Sequence, residues 1–220
     1  MIRIVVLASG QGSNLQALID ACARGQLAAS IVGVFSDRAS AAALGRAHKA
    51  GIPALAMAQA DFPSRADFDR ALFDRVEAER PDLIVLAGYM RIIDAEIVER
   101  NFPRMINLHP SLLPKYPGLR THARALESGD REHGASIHLV TPELDAGPVL
   151  AQARIAVEPG EDADHLEARV RERERPLLVA CVDLIARGRL RLTRAGPLLD
   201  QHPLTAPLRL SENDQLEPAP

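Results

Sequence analysis

Apolar residues along this chain follow two alternating rhythms. Short β-branched runs, IRIVVLAS (2–9), ASIVGVFS (29–36), DLIVLAG (82–88) and RMINLH (104–109), read as strands, and PALAM (53–57) as a weaker one. The first and third are apolar throughout, as expected where helices cover both faces of a parallel sheet. Between them lie stretches of helical periodicity at 14–24, 40–50, 64–80 and 94–101. In the segment 64–80, Phe68, Leu72, Phe73 and Val76 form one apolar stripe with charges opposite. This alternation predicts an α/β fold, a mostly parallel twisted sheet with helices on both faces.

After residue 120 the order changes. A helix at 121–129 precedes two strands, 134–141 and 149–157, joined by PELDAGP, and a long helix follows at 163–187. Pro176 lies inside that helix. It has no N–H for the carbonyl of residue 172 and pushes Arg175 off helical angles, so a kink is expected, or a break with a second helix starting near Pro176. A last strand at 189–193 leads into a polar tail ending SENDQLEPAP. The expected organisation is one domain over 1–195 and a partly disordered tail over 196–220. Within the domain, a phosphate loop is expected in the N-terminal half and the catalytic elements over about 88–175.

Composition narrows the classes. At 220 residues, 47% hydrophobic and 25% charged, the chain can bury a sizeable core. A net charge of −3 offers no field to draw in nucleic acid or an anionic membrane. Cys22 and Cys181 are far apart, which fits neither a disulfide framework nor metal spacing and points to a reducing compartment. The N-terminus lacks a signal-peptide pattern and no run is long enough to cross a bilayer, so a cytoplasmic protein is expected.

Two places carry candidate chemistry. ASGQGSNLQALI (8–19) is not a dinucleotide fingerprint, since Leu15 stands where the third glycine would fall, and no Lys-Ser/Thr pair makes it a Walker loop. What remains is a tight turn at Gly10 and Gly12, followed by Ser13 and Asn14 at a helix N-terminus. It is either a phosphate cradle at the carboxyl edge of the sheet or simply a helix cap. In INLHPSLLPKYPGL (106–119), Asn107 and His109 alternate with Ile106 and Leu108, so they share a face of one strand. Together they can place two donors on one oxygen that becomes negative. Pro110, Pro114 and Pro117 stiffen the loop behind them. Asp145, in the turn TPELDAGPVL (141–150), is a candidate partner for His109. A carboxylate there raises the histidine's pKa; the other reading of Asp145 is an Asx turn. Ser111 has no nucleophile elbow around it, and the remaining histidines form no metal pattern. The set suits direct group transfer without a metal or covalent intermediate.

Four stretches, VLASGQGSNLQALID, VLAGYMRII, INLHPSLLPKYPGL and HLVTPELDAGPVLAQ, closely resemble in this order the phosphoribosylglycinamide formyltransferase family. The resemblance runs from residue 2 to about 190. It implies a Rossmann-like formyltransferase fold. It also implies transfer of the formyl group of 10-formyltetrahydrofolate, a co-substrate and not a permanently bound cofactor, to the amine of 5-phosphoribosylglycinamide in purine biosynthesis. By the same resemblance Gly12, Ser13 and Asn14 hold the ribonucleotide phosphate, and Arg171 and Glu174 contact the ribonucleotide. His109, Asn107 and Asp145 form the catalytic trio, with His109 the proton donor and Asp145 keeping it charged. Arg65, Met90, Arg91, Ile92, Ile93, Asn107 and the turn Thr141, Pro142, Glu143, Leu144 and Asp145 line the folate pocket. Its partners are small molecules, with no nucleic acid or membrane and a monomer or homodimer as the assembly. Two departures stand out: Arg120 where the family often has histidine, and Pro176 where its helix is uninterrupted.

Three other readings share the core. Methionyl-tRNA formyltransferases carry a further C-terminal domain, and formyltetrahydrofolate hydrolases a further N-terminal one; neither is expected here. A non-catalytic folate or nucleotide binder would have no use for an oxyanion pair beside a carboxylate.

Overall fold

A computed structural model describes residues 1–218. The chain forms two compact units: Met1–Asn107 with Val140–Pro142, and Leu108–Leu139 with Glu143 onward.

The first unit is built on parallel strands. β1 (Ile2–Leu7) pairs with β2 (Ala29–Ser36) on one side and β4 (Leu83–Leu86) on the other. β3 (Ala54–Ala56) extends β2, and β5 (Met105–His109) extends β4, with Leu86 opposite Asn107. Helices α1 (Ser13–Ala23), α2 (Ala42–Lys49), α3 (Arg65–Ala78) and α4 (Ala95–Asn101) connect them. Ile4, Val5, Val6 and Leu7 are all fully buried. Successive strand residues point to opposite faces, so both faces of the sheet are covered. The stripe read in α3 packs as expected, with Phe68, Leu72, Phe73 and Val76 joining Val5, Leu7 and Ile84 in one core. Each such side chain contributes about 1.5–3 kcal/mol of burial. Ser64 caps α3 by accepting from the Asp67 N–H, and Asp94 caps α4 from Glu96.

In the second unit, β6 (Glu132–Leu139) and β7 (Val149–Ala156) pair antiparallel, with α5 (Thr121–Glu127) ahead of them and α6 (Ala163–Ala186) behind. β8 (Leu190–Thr193), β9 (Gly196–Leu199) and β10 (His202–Pro203) make a small antiparallel sheet.

Two expectations are corrected in this unit. The segment after 196 is not a loose tail up to Glu217. Beyond β9 and β10, β11 (Leu208–Leu210) lies parallel to β7 and β12 (Leu216–Glu217) pairs back on β11. Leu208 is buried, and Arg173 donates to Asp214 at 2.9 Å and to the Ser211 carbonyl at 2.7 Å. An unpaired strand edge leaves N–H and C=O groups without partners, and LRL supplies them for β7. Ala219 and Pro220 of the expected tail lie outside the described residues.

The second correction concerns the break expected at Pro176. α6 runs unbroken through it from Ala163 to Ala186. A proline inside a helix costs about 3 kcal/mol. Leu166, Val170, Leu177, Leu178, Cys181 and Val182 of α6 are all fully buried, and the helix packs on β6 and β7. At about 1.5–3 kcal/mol for each large apolar side chain, that burial outweighs one lost backbone bond.

Candidate active site

Gly12 occupies the cap position of α1 with φ 71° and ψ 29°, the left-handed region. A Cβ there would lie 2.8 Å from both Cα and Cβ of Ala43, so glycine is required by conformation and by space. The cap residue has no side chain, and Ser13 and Asn14 stand inside the helix; the simple cap reading does not describe this turn. First-turn N–H groups of a helix have no intrahelical acceptor and carry the positive end of its dipole, which suits an anion. Arg46 adds a cation beside the turn: its Nε donates to the Gln11 carbonyl at 2.8 Å and a terminal nitrogen to Gln16 at 3.2 Å. Sequence reading missed Arg46, because its approach depends on how α2 packs on the turn.

The same unit presents the segment Tyr89–Asp94. Met90 and Ile92 are exposed, while Ile93 is buried in the core, so these neighbours differ in what they can offer a ligand. The Arg91 guanidinium lies 5.0 Å above the Phe68 ring and donates to Gln59. Arg65, at the first position of α3, is exposed. Thr141 and Pro142 also belong to this unit.

In the second unit His109 and Asp145 meet as expected. His109 Nδ1 is 3.4 Å from Asp145 Oδ2, and the backbone N–H of Gly118 donates to the same oxygen at 2.8 Å. His138 approaches the other carboxylate oxygen with Nε2 at 3.5 Å. Two imidazoles and one amide thus surround one carboxylate that is itself almost wholly buried. Burial alone would raise the Asp145 carboxyl. The bonds from His138 and Gly118 and the charges of both imidazoles carry it below the ordinary carboxylate value.

His109 behaves otherwise than expected. Burial pulls its pKa down, and neither the bond to the Tyr116 carbonyl nor the nearby Asp145 charge restores it, while His138 and Arg124 add to the fall. The expected rise is corrected: the desolvation cost of an imidazolium outweighs one carboxylate here. Nε2 lies 2.9 Å from the Tyr116 carbonyl, which can only accept, so that nitrogen carries the proton of the neutral ring, and Nδ1 can donate to Asp145 only in the imidazolium. Asn107 is two residues before His109 on β5, which puts their side chains on one face of the strand.

The proline-rich loop is fixed by more than its prolines. Ser111 donates to the Lys115 carbonyl at 2.6 Å, so its hydroxyl serves the loop. Ser136 donates to the Ser111 carbonyl and accepts from the Leu113 N–H, and Gln152 donates to the Leu113 carbonyl at 2.9 Å. Tyr116 and Lys115 both reach Asp130, and Arg124 donates to the Pro117 carbonyl at 2.6 Å while covering the Tyr116 ring. Behind this loop His122 Nδ1 and His133 Nε2 are 3.1 Å apart. Among the described residues no group of three or more His, Cys, Asp or Glu is arranged to hold a metal ion.

The other expected positions are less uniform. Glu143 and Leu144 are exposed beside Asp145. Arg171 is exposed and paired with Glu167 one turn back on α6, whereas Glu174 is buried. Arg120 pairs with Glu127 at 3.2 Å and sits in left-handed backbone at the start of α5.

Residues 2–182 match the family model for formyl transferases. The chain belongs to the formyl transferase family. Within it, the chain is 46% identical over 198 residues to the phosphoribosylglycinamide formyltransferase of Escherichia coli (strain K12), covering 90% of this chain and 93% of that one. It is 44% identical to the enzyme of the same name from Mycobacterium tuberculosis, covering 84% of this chain and 85% of that one. The solved structure of the phosphoribosylglycinamide formyltransferase of Coxiella burnetii superposes with a TM-score of 0.88 at 46% identity, over 93% of this chain and 96% of that one. No described helix is long and apolar enough to cross a membrane.

Proposed function

We propose that the protein transfers the formyl group of 10-formyltetrahydrofolate to the amine of 5-phosphoribosylglycinamide, giving the N-formyl product and tetrahydrofolate in purine biosynthesis. The observation that carries this reading is the buried His109–Asp145 pair at the end of β5, two residues after Asn107. The amine attacks the formyl carbon and its electron pair forms the new C–N bond, while the carbonyl π pair moves to oxygen. Asn107 and His109 donate to that oxygen, and Asp145 balances the imidazolium that participates. The tetrahedral intermediate collapses by breaking the bond to N10 of the folate. The proton lost by the amine reaches N10 through His109 or solvent.

Burial lowers the pKa of His109 in the free protein and so favours the neutral imidazole. To donate to the substrate oxygen, Nε2 exchanges the Tyr116 carbonyl for that oxygen, and the ring becomes an imidazolium by taking at Nδ1 the proton that the attacking amine gives up, directly or through solvent. The turn at Gly12–Asn14, with Arg46 beside it, binds the ribonucleotide phosphate, and Met90–Ile93 with Arg65 and the 141–145 turn bind the folate. Glu174 and Arg171 complete the ribonucleotide side. The partners are these two small molecules, the assembly is a monomer or homodimer, and the setting is cytoplasmic.

Turnover with 5-phosphoribosylglycinamide and 10-formyltetrahydrofolate, compared with charged initiator tRNA as acceptor, tests the assignment. Formylation of the ribonucleotide alone is expected. Formylation of the tRNA, or hydrolysis of the folate without an acceptor, would replace it.

A further inference from the structure

Asp69 is hard to explain by stability. It lies in the middle of α3, between the core residues Phe68 and Leu72, and is fully buried. Aspartate is a poor helix-interior residue, and a carboxylate out of water is costly unless its oxygens are engaged. Oδ2 accepts from the Asp94 N–H at 2.9 Å, but Oδ1 is buried with no hydrogen-bond partner among the described residues. Two more buried polar atoms share that condition, the Tyr89 hydroxyl and Arg91 Nε, and both side chains interact electrostatically with Asp69. All three belong to one neighbourhood, centred on the segment Tyr89–Asp94.

That segment is tied at its other end by a second carboxylate. Ser9 donates to Asp37 at 2.5 Å and accepts from the Met90 N–H at 3.0 Å. Asp37 is itself almost fully buried and paired with Arg38. The stretch is therefore pinned at Met90 through Ser9 and at Asp94 through Asp69, with Arg91 between the pins. Burial raises the Asp69 carboxyl, while Arg91 acts on it through space to favour the charged form, an attraction that strengthens out of water. Arg65 adds a second cation to the field of Asp69.

We propose that Asp69 is a positioning residue for the co-substrate, holding the Tyr89–Asp94 segment in shape through the Asp94 N–H and orienting Arg91 through its charge. This rests on the reading that Met90–Ile93 bind the folate. It goes beyond that reading because Asp69 lies under the segment, buried inside α3, and acts through Arg91 and Asp94. A buried, half-satisfied carboxylate is tolerated because it presets the groups that meet the ligand.

Steady-state kinetics of Asp69→Asn, Asp69→Ala, Arg91→Ala and the double variant Asp69→Ala/Arg91→Ala test it. Asparagine keeps an acceptor for the Asp94 N–H and loses the charge, so Asp69→Asn should raise the 10-formyltetrahydrofolate KM several-fold and Asp69→Ala roughly ten-fold or more. In the two Asp69 variants the ribonucleotide KM and kcat should stay within about two-fold, and in the Arg91→Ala background the further loss from Asp69→Ala should shrink, because the two residues act as a unit. Parallel losses for both substrates, or an unshifted folate KM in both Asp69 variants while Arg91→Ala raises it, would overturn the proposal alone. An unshifted folate KM in Arg91→Ala would overturn the folate reading and the proposal with it. If Asp69→Ala does not fold, the near-isosteric Asp69→Asn decides by the same criteria.

Discussion

Asp145 meets His109 from a left-handed backbone, φ 52°, with its Oδ2 3.4 Å from the imidazole Nδ1. The conformation is uncommon for a residue with a Cβ and persists because the Gly118 N–H and His138 also hold the carboxylate. Asp145→Asn should keep the shape and lose the charge that balances an imidazolium. A fall in kcat on the order of 10²–10³ is expected, with a modest change in KM, and His109→Ala should fall similarly. The double variant should be far less impaired than the product of the two singles, since the pair acts together. Multiplicative losses in single-turnover rates would show that the residues act independently.

The glycine turn gives a selective prediction. Gly12→Val places a branched side chain where a Cβ already lies 2.8 Å from Ala43. Ribonucleotide affinity measured by calorimetry should drop at least about ten-fold, the scale of a lost charge-assisted hydrogen bond, while folate affinity survives. Equal loss of both ligands would indicate a general failure of the fold.

His133 ties stability to acidity. Burial and the neighbouring His122 push it down to about 4 from the ordinary 6.5. The unfolded chain therefore binds this proton at higher pH than the folded one does. Its contribution is neutral above about 6.5 and becomes increasingly destabilising as pH falls from there to about 4, then levels off. The depressed pKa of His109 acts in the same direction. Asp145, also depressed, adds stability above its unfolded value and loses it as pH falls through its folded one. Melting temperature followed from pH 7 to 4 should decline, and the decline should be shallower in His133→Gln. An identical slope in the variant would remove His133 from the account.

Pro176 should be replaceable at a gain. Alanine restores an N–H to the carbonyl of Glu172 within an unbroken helix. Pro176→Ala should raise the melting temperature by several degrees, at about 2–4 °C per kcal/mol for a chain of this size. A lowered melting temperature would mean the ring makes packing contacts worth more than the bond.

Much of this was legible because it is local. The burial of β1 and the stripe on α3 follow from spacing alone, and the common strand face of Asn107 and His109 follows from strand alternation. The His109–Asp145 pairing was foreseeable only as a choice between two readings, since 36 positions separate them. Arg46, His138 and the Tyr116 carbonyl were invisible as partners, because each arrives from an element whose packing has no local signature. The errors have one physical cause. The direction of the His109 shift, the continuity of α6 and the order of the C-terminal strands all depend on how much surface is removed from water, which is a tertiary quantity.

The strand β11 has a reach longer than its three residues. Arg209 stands opposite Gln152 on β7, and Gln152 holds Leu113 and Ser136, which fix the loop whose Tyr116 carbonyl engages His109. β11 is thus mechanically in series with the imidazole. A label, fusion or truncation that peels β11 from β7 would soften the seat of His109 from the far end of the polypeptide, so handling of the C-terminus belongs among the controls of any rate measurement.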